Sequence, residues 1–175
     1  MIVGCSSPAA KNSSQQATIA SQSSAAMDAF NNEDPSLKDL VDKSVGYAIF
    51  PDVGKAGFIA GGSYGKGEVF EAGKKVGYAD ITQATFGLQA GAQTFDELIL
   101  FLRPDELSNF KTSEFKFAGN VSAVAIKAGA AKTADASKGV VVFVRANGGL
   151  MAEASLGGQR FRYEPISTAT TRPVQ

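Results

Sequence analysis

The sequence predicts an α+β domain in which a strongly curved, Gly-rich antiparallel β-sheet or partly closed barrel carries N-terminal helices and one short helix near residue 104. Up to residue 43, apolar residues recur at three- and four-residue steps, which is typical of helices. Beyond Val45, short runs rich in Val, Ile, Phe and Tyr are separated by glycines, which is typical of strands and turns. Eleven of the 19 glycines lie between Gly46 and Gly91. Glycine weakens a strand interior, so this density indicates a sheet that must bend.

The N-terminal region divides into a tether and two helices. Residues 1–24 contain seven Ser and three Gln, and this composition predicts a flexible tether. Apolar residues between Thr18 and Phe30 predict a short amphipathic helix, which Asn31 and Asn32 end. Asp34-Pro35 fits an N-cap followed by proline in the first turn of a second helix, which runs to about Lys43. We expect the folded domain to span residues 25–165, with residues 166–175 as a C-terminal tail.

From residue 45 onward the sequence predicts an antiparallel meander. Asn147-Gly148 gives the strongest hairpin signal, because a type I′ turn needs positive φ at both central residues. The segments 71–74 and Gly157-Gly158 are further candidate turns. A helix is expected to begin at Pro104, where Asp105 and Glu106 complement the helix N-terminus. The predicted strands are 45–50, 56–63, 64–70, 75–81, 85–93, 95–102, 115–127, 139–145, 150–156 and 159–164.

The composition excludes several function classes. The chain has 17 basic and 17 acidic residues, which argues against a nucleic-acid partner. It has no histidine, so His-based catalytic pairs and His-ligated metals are excluded, and we expect neither an enzyme nor a cofactor or metal site. Ser63 and Lys66 match the S-x-x-K motif of a serine hydrolase. Residues three apart on a strand point to opposite faces, however, so a hydrolase is only a distant alternative.

The N-terminus predicts a lipid anchor. The segment Ile2-Val3-Gly4-Cys5 resembles the end of a bacterial lipoprotein signal peptide, in which the cysteine is lipidated and becomes the mature N-terminus. Ser6 at the next position is what that pattern associates with export to the outer membrane. We therefore expect a lipid-anchored protein of the bacterial outer membrane, with its domain facing the periplasm or the cell surface. The alternative for Cys5 is an ordinary free thiol.

The domain also resembles the SYLF lipid-binding family over roughly residues 28–160. The resemblance rests on an ordered series of segments: 34–37 (DPSL), 46–51 (GYAIFP), 55–58 (KAGF), 61–67 (GGSYGKG), 87–93 (GLQAGAQ) and 95–101 (FDELILF). Eukaryotic relatives bind phosphoinositide membranes, partly through an N-terminal amphipathic helix, and some associate with actin. Bacterial relatives are mostly exported proteins. The resemblance implies a non-enzymatic lipid-binding domain.

Basic residues supply the candidate lipid site. Lys55, Lys66, Lys74 and Lys75 border the glycine-rich strands and are the expected contacts to anionic headgroups. The segment from Leu107 to Arg145 adds six basic against two acidic residues, which could attract an anionic surface if folding gathers them. The expected partner is membrane lipid, with an envelope protein as a further possibility. The alternative function is a membrane-tethered structural or protein-interaction module without lipid affinity of its own.

Overall fold

A computed structural model describes residues 13–55, 62–84, 94–112, 115–117, 121–147 and 158–166. Cys5 lies outside these ranges. The helices are α1 (Ser13–Glu33), α2 (Leu37–Lys43), α3 (Pro104–Phe110) and α4 (Ala130–Thr133), with a 3₁₀ turn at Ala136–Lys138. The strands are β1 (Gly46–Lys55), β2 (Gly62–Glu71), β3 (Lys74–Ala84), β4 (Thr94–Phe101), β5 (Val121–Ala125), β6 (Val140–Asn147) and β7 (Gln159–Pro165).

The described strands form one sheet in the order β5-β6-β4-β1-β2-β3-β7. Five of the neighbouring pairs are antiparallel, as predicted, but β5 and β6 are parallel. The prediction of a simple meander is therefore wrong at this edge. A parallel pair needs a crossover connection, and residues 126–139 provide one with α4 and the 3₁₀ turn. The predicted strand 115–127 is reduced to β5 and a single bridge from Phe115 to Phe161.

The sheet curls until distant strands face each other across its inner side. Three strands separate β4 from β7 in the sheet order, yet the side-chain amide of Gln159 on β7 donates a hydrogen bond of 2.8 Å to Glu97 on β4. The rings of Phe50 and Phe161 lie 5.5 Å apart inside the same curl. The predicted fold class, a strongly curved and incompletely closed α+β sheet, is confirmed.

Gly67 shows why the curl requires glycine. A Cβ built at this position would collide with the carbonyl oxygen of Ile49 and would lie 2.7 Å from the Phe50 ring. Both residues belong to the neighbouring strand β1, whose backbone therefore approaches β2 more closely than any side chain at Gly67 would permit. The glycine density of the sequence marks this close approach.

Helix α1 packs on the outer face of the sheet, the face opposite the curl. It begins at Ser13, so residues 13–24, which composition assigned to the tether, are helical. The buried residues of α1 are Ile19, Ser23, Ala26 and Phe30. The tether prediction is wrong over this range because contact with the sheet stabilises a polar helix that its own composition does not favour.

Asp34 also acts differently from the prediction. Helix α2 begins at Leu37 and not directly after Pro35. The buried Asp34 carboxylate accepts hydrogen bonds from the backbone amide of Ser36 at 3.1 Å and from that of Ala131 at 2.7 Å. Asp34 therefore ties the junction of α1 and α2 to the crossover helix α4, 97 residues further along the chain.

Two local predictions are confirmed, and others lie outside the described residues. The β2–β3 hairpin turns at Ala72 and Gly73, both with positive φ, as the 71–74 signal requires. Helix α3 begins at Pro104 and has its acidic residues in the first turn. Four other predictions concern residues that the structure does not describe, wholly or in part. They are the hairpin across Asn147-Gly148, the strands 85–93 and 150–156, and most of the strand 56–63.

Glu97 is a fully buried acid inside the curl. Burial raises the pKa of Glu97 from 4.5 to about 8, and among the described residues only the hydrogen bond from Gln159 opposes this rise. One oxygen of Glu97 and the amide oxygen of Gln159 have no hydrogen-bond partner among the described residues. If this oxygen of Glu97 carries a proton, the resulting O–H group can donate a hydrogen bond to the amide oxygen of Gln159. We therefore expect Glu97 to be protonated at neutral pH.

Stability should fall as the pH rises toward the pKa of Glu97. Between pH 4.5 and about 8 the folded protein keeps a proton that the unfolded chain releases, so unfolding becomes easier with rising pH. The slope is at most about 1.4 kcal/mol per pH unit. In Glu97→Gln the part of the pH dependence that Glu97 causes should disappear from the free energy of unfolding. The amide of the new glutamine offers Gln159 the same donor and acceptor at every pH. Denaturant unfolding from about pH 5 to about pH 9 measures the difference.

Asp42→Asn is the control for this measurement. Asp42 lies on the exposed surface of α2, paired with Lys38, so its loss should leave the slope unchanged. An infrared band of a protonated carboxyl group, present at pH 7 in the wild type and absent from Glu97→Gln, checks the assignment independently. Equal slopes in the wild type and Glu97→Gln would show that Glu97 is ionised in the folded protein.

Candidate functional site

The outer face of β2, β3 and β7 carries three cations, which we call the basic strip: Lys66, Arg160 and Arg162. Lys66 on β2 pairs in register with Asp80 on β3, which pairs in turn with Arg162 on β7. Arg160 lies two residues before Arg162, so it shares the same face of the strand. Arg160 and Arg162 are exposed and Lys66 is half-buried. The strip therefore runs out to β7, the last strand of the sheet, whose outer side is bridged to Phe115 at Phe161.

Asp80 lies beneath the basic strip. Its carboxylate is buried and accepts a hydrogen bond of 3.1 Å from the Tyr64 hydroxyl. Burial raises the pKa of Asp80, while the Tyr64 hydrogen bond and the charges of Lys66 and Arg162 oppose the rise. Burial and the neighbouring Asp80 also raise the pKa of Tyr64, which keeps its proton at all physiological pH values. Asp80 thus lies in register between Lys66 and Arg162, and the charge of Glu164 on β7 adds to the rise of its pKa.

The four lysines predicted from the sequence do not form one cluster. Lys55 ends β1, Lys66 lies within β2, and Lys74 and Lys75 begin β3. Lys74 pairs with Glu71, five residues along β2 from Lys66, a separation of about 17 Å in an extended strand. Of the four, the structure places Lys66 in the basic strip. Lys74 is exposed at the hairpin end.

Lys75 is held by neighbouring side chains. Its ammonium donates to Glu68 at 2.9 Å and to the Tyr78 hydroxyl at 3.2 Å, and it lies 5.1 Å from the centre of the Tyr78 ring. The hydrogen bond to Glu68 is the main reason that the pKa of Lys75 is raised, so the side chain stays charged. Glu68 balances that charge, so the Glu68–Lys75 pair is electrically neutral.

The basic segment from Leu107 to Arg145 is divided by folding. Lys111 forms an ion pair of 2.7 Å with Glu71, and Arg145 forms an ion pair with the buried Asp96. Lys127, Lys132 and Lys138 are exposed in the crossover at the β5 edge. That edge lies at the opposite end of the strand order from β7. The segment therefore forms no single cationic surface.

Arg160 and Arg162 were missed by the sequence reasoning. A signal for them existed, since Gln159, Arg160, Phe161, Arg162 and Tyr163 alternate along a predicted strand and the alternation puts both arginines on one face. Their proximity to Lys66 had no such signal, because it depends on the pairing of β7 with β3, about 80 residues earlier. Ser63 and Lys66, the S-x-x-K pair, both belong to the extended strand β2 and not to a helix.

These features define a class of protein: an α+β domain with a strongly curved sheet, a long helix on its outer face and exposed cations on its last strand. No helix in the described part of the chain combines the length and the apolar character needed to cross a bilayer.

Residues 82–166 match the family model Ysc84, described as Las17-binding protein actin regulator. The chain is also 28% identical over 144 residues to Beta cell expansion factor A from Aeromonas veronii, covering 81% of this chain and 54% of that protein. The chain thus spans about half the length of the curated relative. These findings confirm the resemblance to the SYLF family, whose members are generally lipid-binding. The family match includes Arg160 and Arg162 but not Lys66.

Proposed function

We propose that this protein is a non-enzymatic envelope lipoprotein whose SYLF domain binds anionic phospholipid through the basic strip. The observation that carries the proposal is the exposure of Arg160 and Arg162 on one face of the edge strand β7, beside Lys66. The family's general lipid-binding character supports a lipid as the partner.

The geometry suits a flat anionic surface better than a small ligand. The two arginines are spaced about 7 Å apart along an extended strand, and among the described residues the outer side of β7 is bridged at Phe161, by Phe115. An arginine guanidinium forms bidentate hydrogen bonds with phosphate, so two of them can engage neighbouring lipid headgroups. Each cation near an anionic membrane contributes about 1 kcal/mol, and salt weakens this contribution.

The double variant Arg160→Gln, Arg162→Gln should bind anionic vesicles about 30-fold more weakly than the wild type, because it loses about 2 kcal/mol of attraction. Flotation with vesicles of phosphatidylcholine and phosphatidylglycerol, at low and high salt, measures the change, with the wild type and the variants all compared in a Cys5→Ser background so that no acyl chain contributes to binding. Binding by the wild type should fall as the salt concentration rises, and binding to pure phosphatidylcholine vesicles should be much weaker.

The matched control is Lys127→Gln, Lys132→Gln. It removes the same charge from exposed positions at the opposite edge of the sheet. It should retain most of the vesicle binding of the wild type. Equal losses in the two double variants would mean that net charge, and not the basic strip, governs binding. Absence of any salt-sensitive binding by the wild type would reject the proposal.

The proposed location is the bacterial outer membrane, with acyl chains on Cys5 as the anchor. The motif Val3-Gly4-Cys5-Ser6 supports this part of the proposal. Mass spectrometry of protein expressed from its full-length precursor in a bacterium should find acyl mass on Cys5, and Cys5→Ser should lack that mass and leave the membrane fraction. Unacylated wild-type protein recovered from the cytosol would contradict the anchor without affecting the vesicle experiment.

A second candidate function is a tethered protein-interaction module without lipid affinity. The description of the matching family as Las17-binding favours a protein partner for at least some of its members. The vesicle experiment separates the two candidates, since a protein-interaction module of this kind would not float with anionic vesicles after Cys5→Ser substitution.

A further inference from the structure

A cavity of about 260 Å³ lies between α1 and the outer face of the sheet. Ser24 and Met27 line it from the helix, and Tyr47, Ile49 and Phe70 line it from β1 and β2. The volume corresponds to about nine water molecules at about 30 Å³ each. The cavity is separate from the basic strip, although both lie on the outer face.

The cavity exists because α1 contacts the sheet through small residues at its middle. Ile19 packs against Tyr78 near the start of the helix, and Phe30 is fully buried near its end. Between them the buried stripe consists of Ser23 and Ala26. Ser23 is 3% exposed, and its hydroxyl has no hydrogen-bond partner among the described residues. A larger apolar side chain at this position would fill the space and avoid the unpaired hydroxyl.

The walls of the cavity suit an aliphatic chain. The rings of Tyr47 and Phe70 stack with centres 4.7 Å apart, and both line the cavity with aromatic surface. Ile49 and Met27 add aliphatic and thioether surface. Water in such a space finds few polar partners, so an apolar group that replaces it gains the free energy of removing apolar surface from water. An unbranched lipid chain supplies such an apolar group and is small enough for a cavity of about 260 Å³.

The polar end of the cavity selects the head group. Glu68 and Lys75 both line the cavity. The Lys75 ammonium uses two of its three N–H donors on Glu68 and Tyr78, which leaves one for a ligand oxygen. Glu68 already balances the charge of Lys75, so an anionic head group would add a negative charge that no other cation of the cavity lining offsets. A neutral oxygen acceptor, such as an ester or a hydroxyl group, fits this end.

We propose that this cavity binds the acyl chain of a single-chain lipid with a neutral head group, whose ester or hydroxyl oxygen accepts a hydrogen bond from Lys75. This site is distinct from the basic strip, because it selects an uncharged head group and a free lipid monomer, whereas the strip selects an anionic surface.

Calorimetric titration of the full chain with 1-monodecanoylglycerol, below its micelle concentration, tests the proposal. We expect saturable one-to-one binding, and binding of decanoate at least about tenfold weaker. The methyl resonances of Met27 and Ile49 should shift as the ligand is added. No saturable binding of the monomer, or binding only to phosphatidylcholine vesicles, would overturn the assignment to a monomeric lipid.

Ser24→Phe and Ala25→Phe form a matched pair for the cavity. Both residues are small and exposed on α1, but of the two only Ser24 lines the cavity. Ser24→Phe should weaken monodecanoylglycerol binding at least about tenfold, and Ala25→Phe should leave it unchanged. Ser24→Phe should also float with anionic vesicles as the wild type does. The titration therefore tests the cavity, and flotation tests the basic strip, independently of each other. Equal effects of the two substitutions on the titration would overturn the cavity assignment.

Glu68→Gln tests the head-group selection. The amide oxygen of glutamine still accepts a hydrogen bond from Lys75, but the balancing negative charge is gone. The variant should bind decanoate at least about tenfold more tightly than the wild type and should retain monodecanoylglycerol binding. Circular dichroism checks that the variant is folded. If the folded variant still prefers monodecanoylglycerol over decanoate as strongly as the wild type does, Glu68 and Lys75 do not contact the head group.

Discussion

The inward curl of the sheet is the constraint on which the other features depend. It brings Glu97 on β4 within hydrogen-bond distance of Gln159 on β7, although three strands lie between them in the sheet order. It also encloses Phe161, whose ring lies 5.4 Å from that of Phe110 on α3. Such curvature requires strands to approach at Gly67, where a Cβ would collide with the backbone of β1. Packing on the inner face therefore fixes the position of the edge strand β7.

The position of β7 in turn creates the outer surface. Arg160 and Arg162 lie between inward-facing residues of the same strand, so burial of Gln159 and Phe161 forces both arginines outward. Pairing with β3 then sets them beside Asp80 and Lys66. The cationic edge is thus a consequence of how the interior is filled. The buried Glu97, a neutral acid in an apolar interior, belongs to that filling and not to the surface.

Two neighbouring regions of the outer face differ in charge: one is cationic, and in the other the charges balance. Lys66 of the basic strip and Glu68 of the cavity lie two residues apart on the same face of β2, about 7 Å along the strand. Around Lys66 the cations extend to an exposed edge, whereas around Glu68 the charges of Glu68 and Lys75 balance beneath α1. The two regions therefore differ in charge although they share one face of β2.

The sequence by itself determined the features that depend on neighbouring residues: the turn at Gly73, the start of α3 at Pro104 and the curvature marked by glycines such as Gly67. Only the tertiary structure decided that α1 begins at Ser13, that β5 runs parallel to β6, and that Arg160 and Arg162 join Lys66 while Lys74 and Lys75 lie apart from it. The reason is physical. Local patterns report backbone conformation, whereas strand register and helix docking are set by packing between residues far apart in the chain.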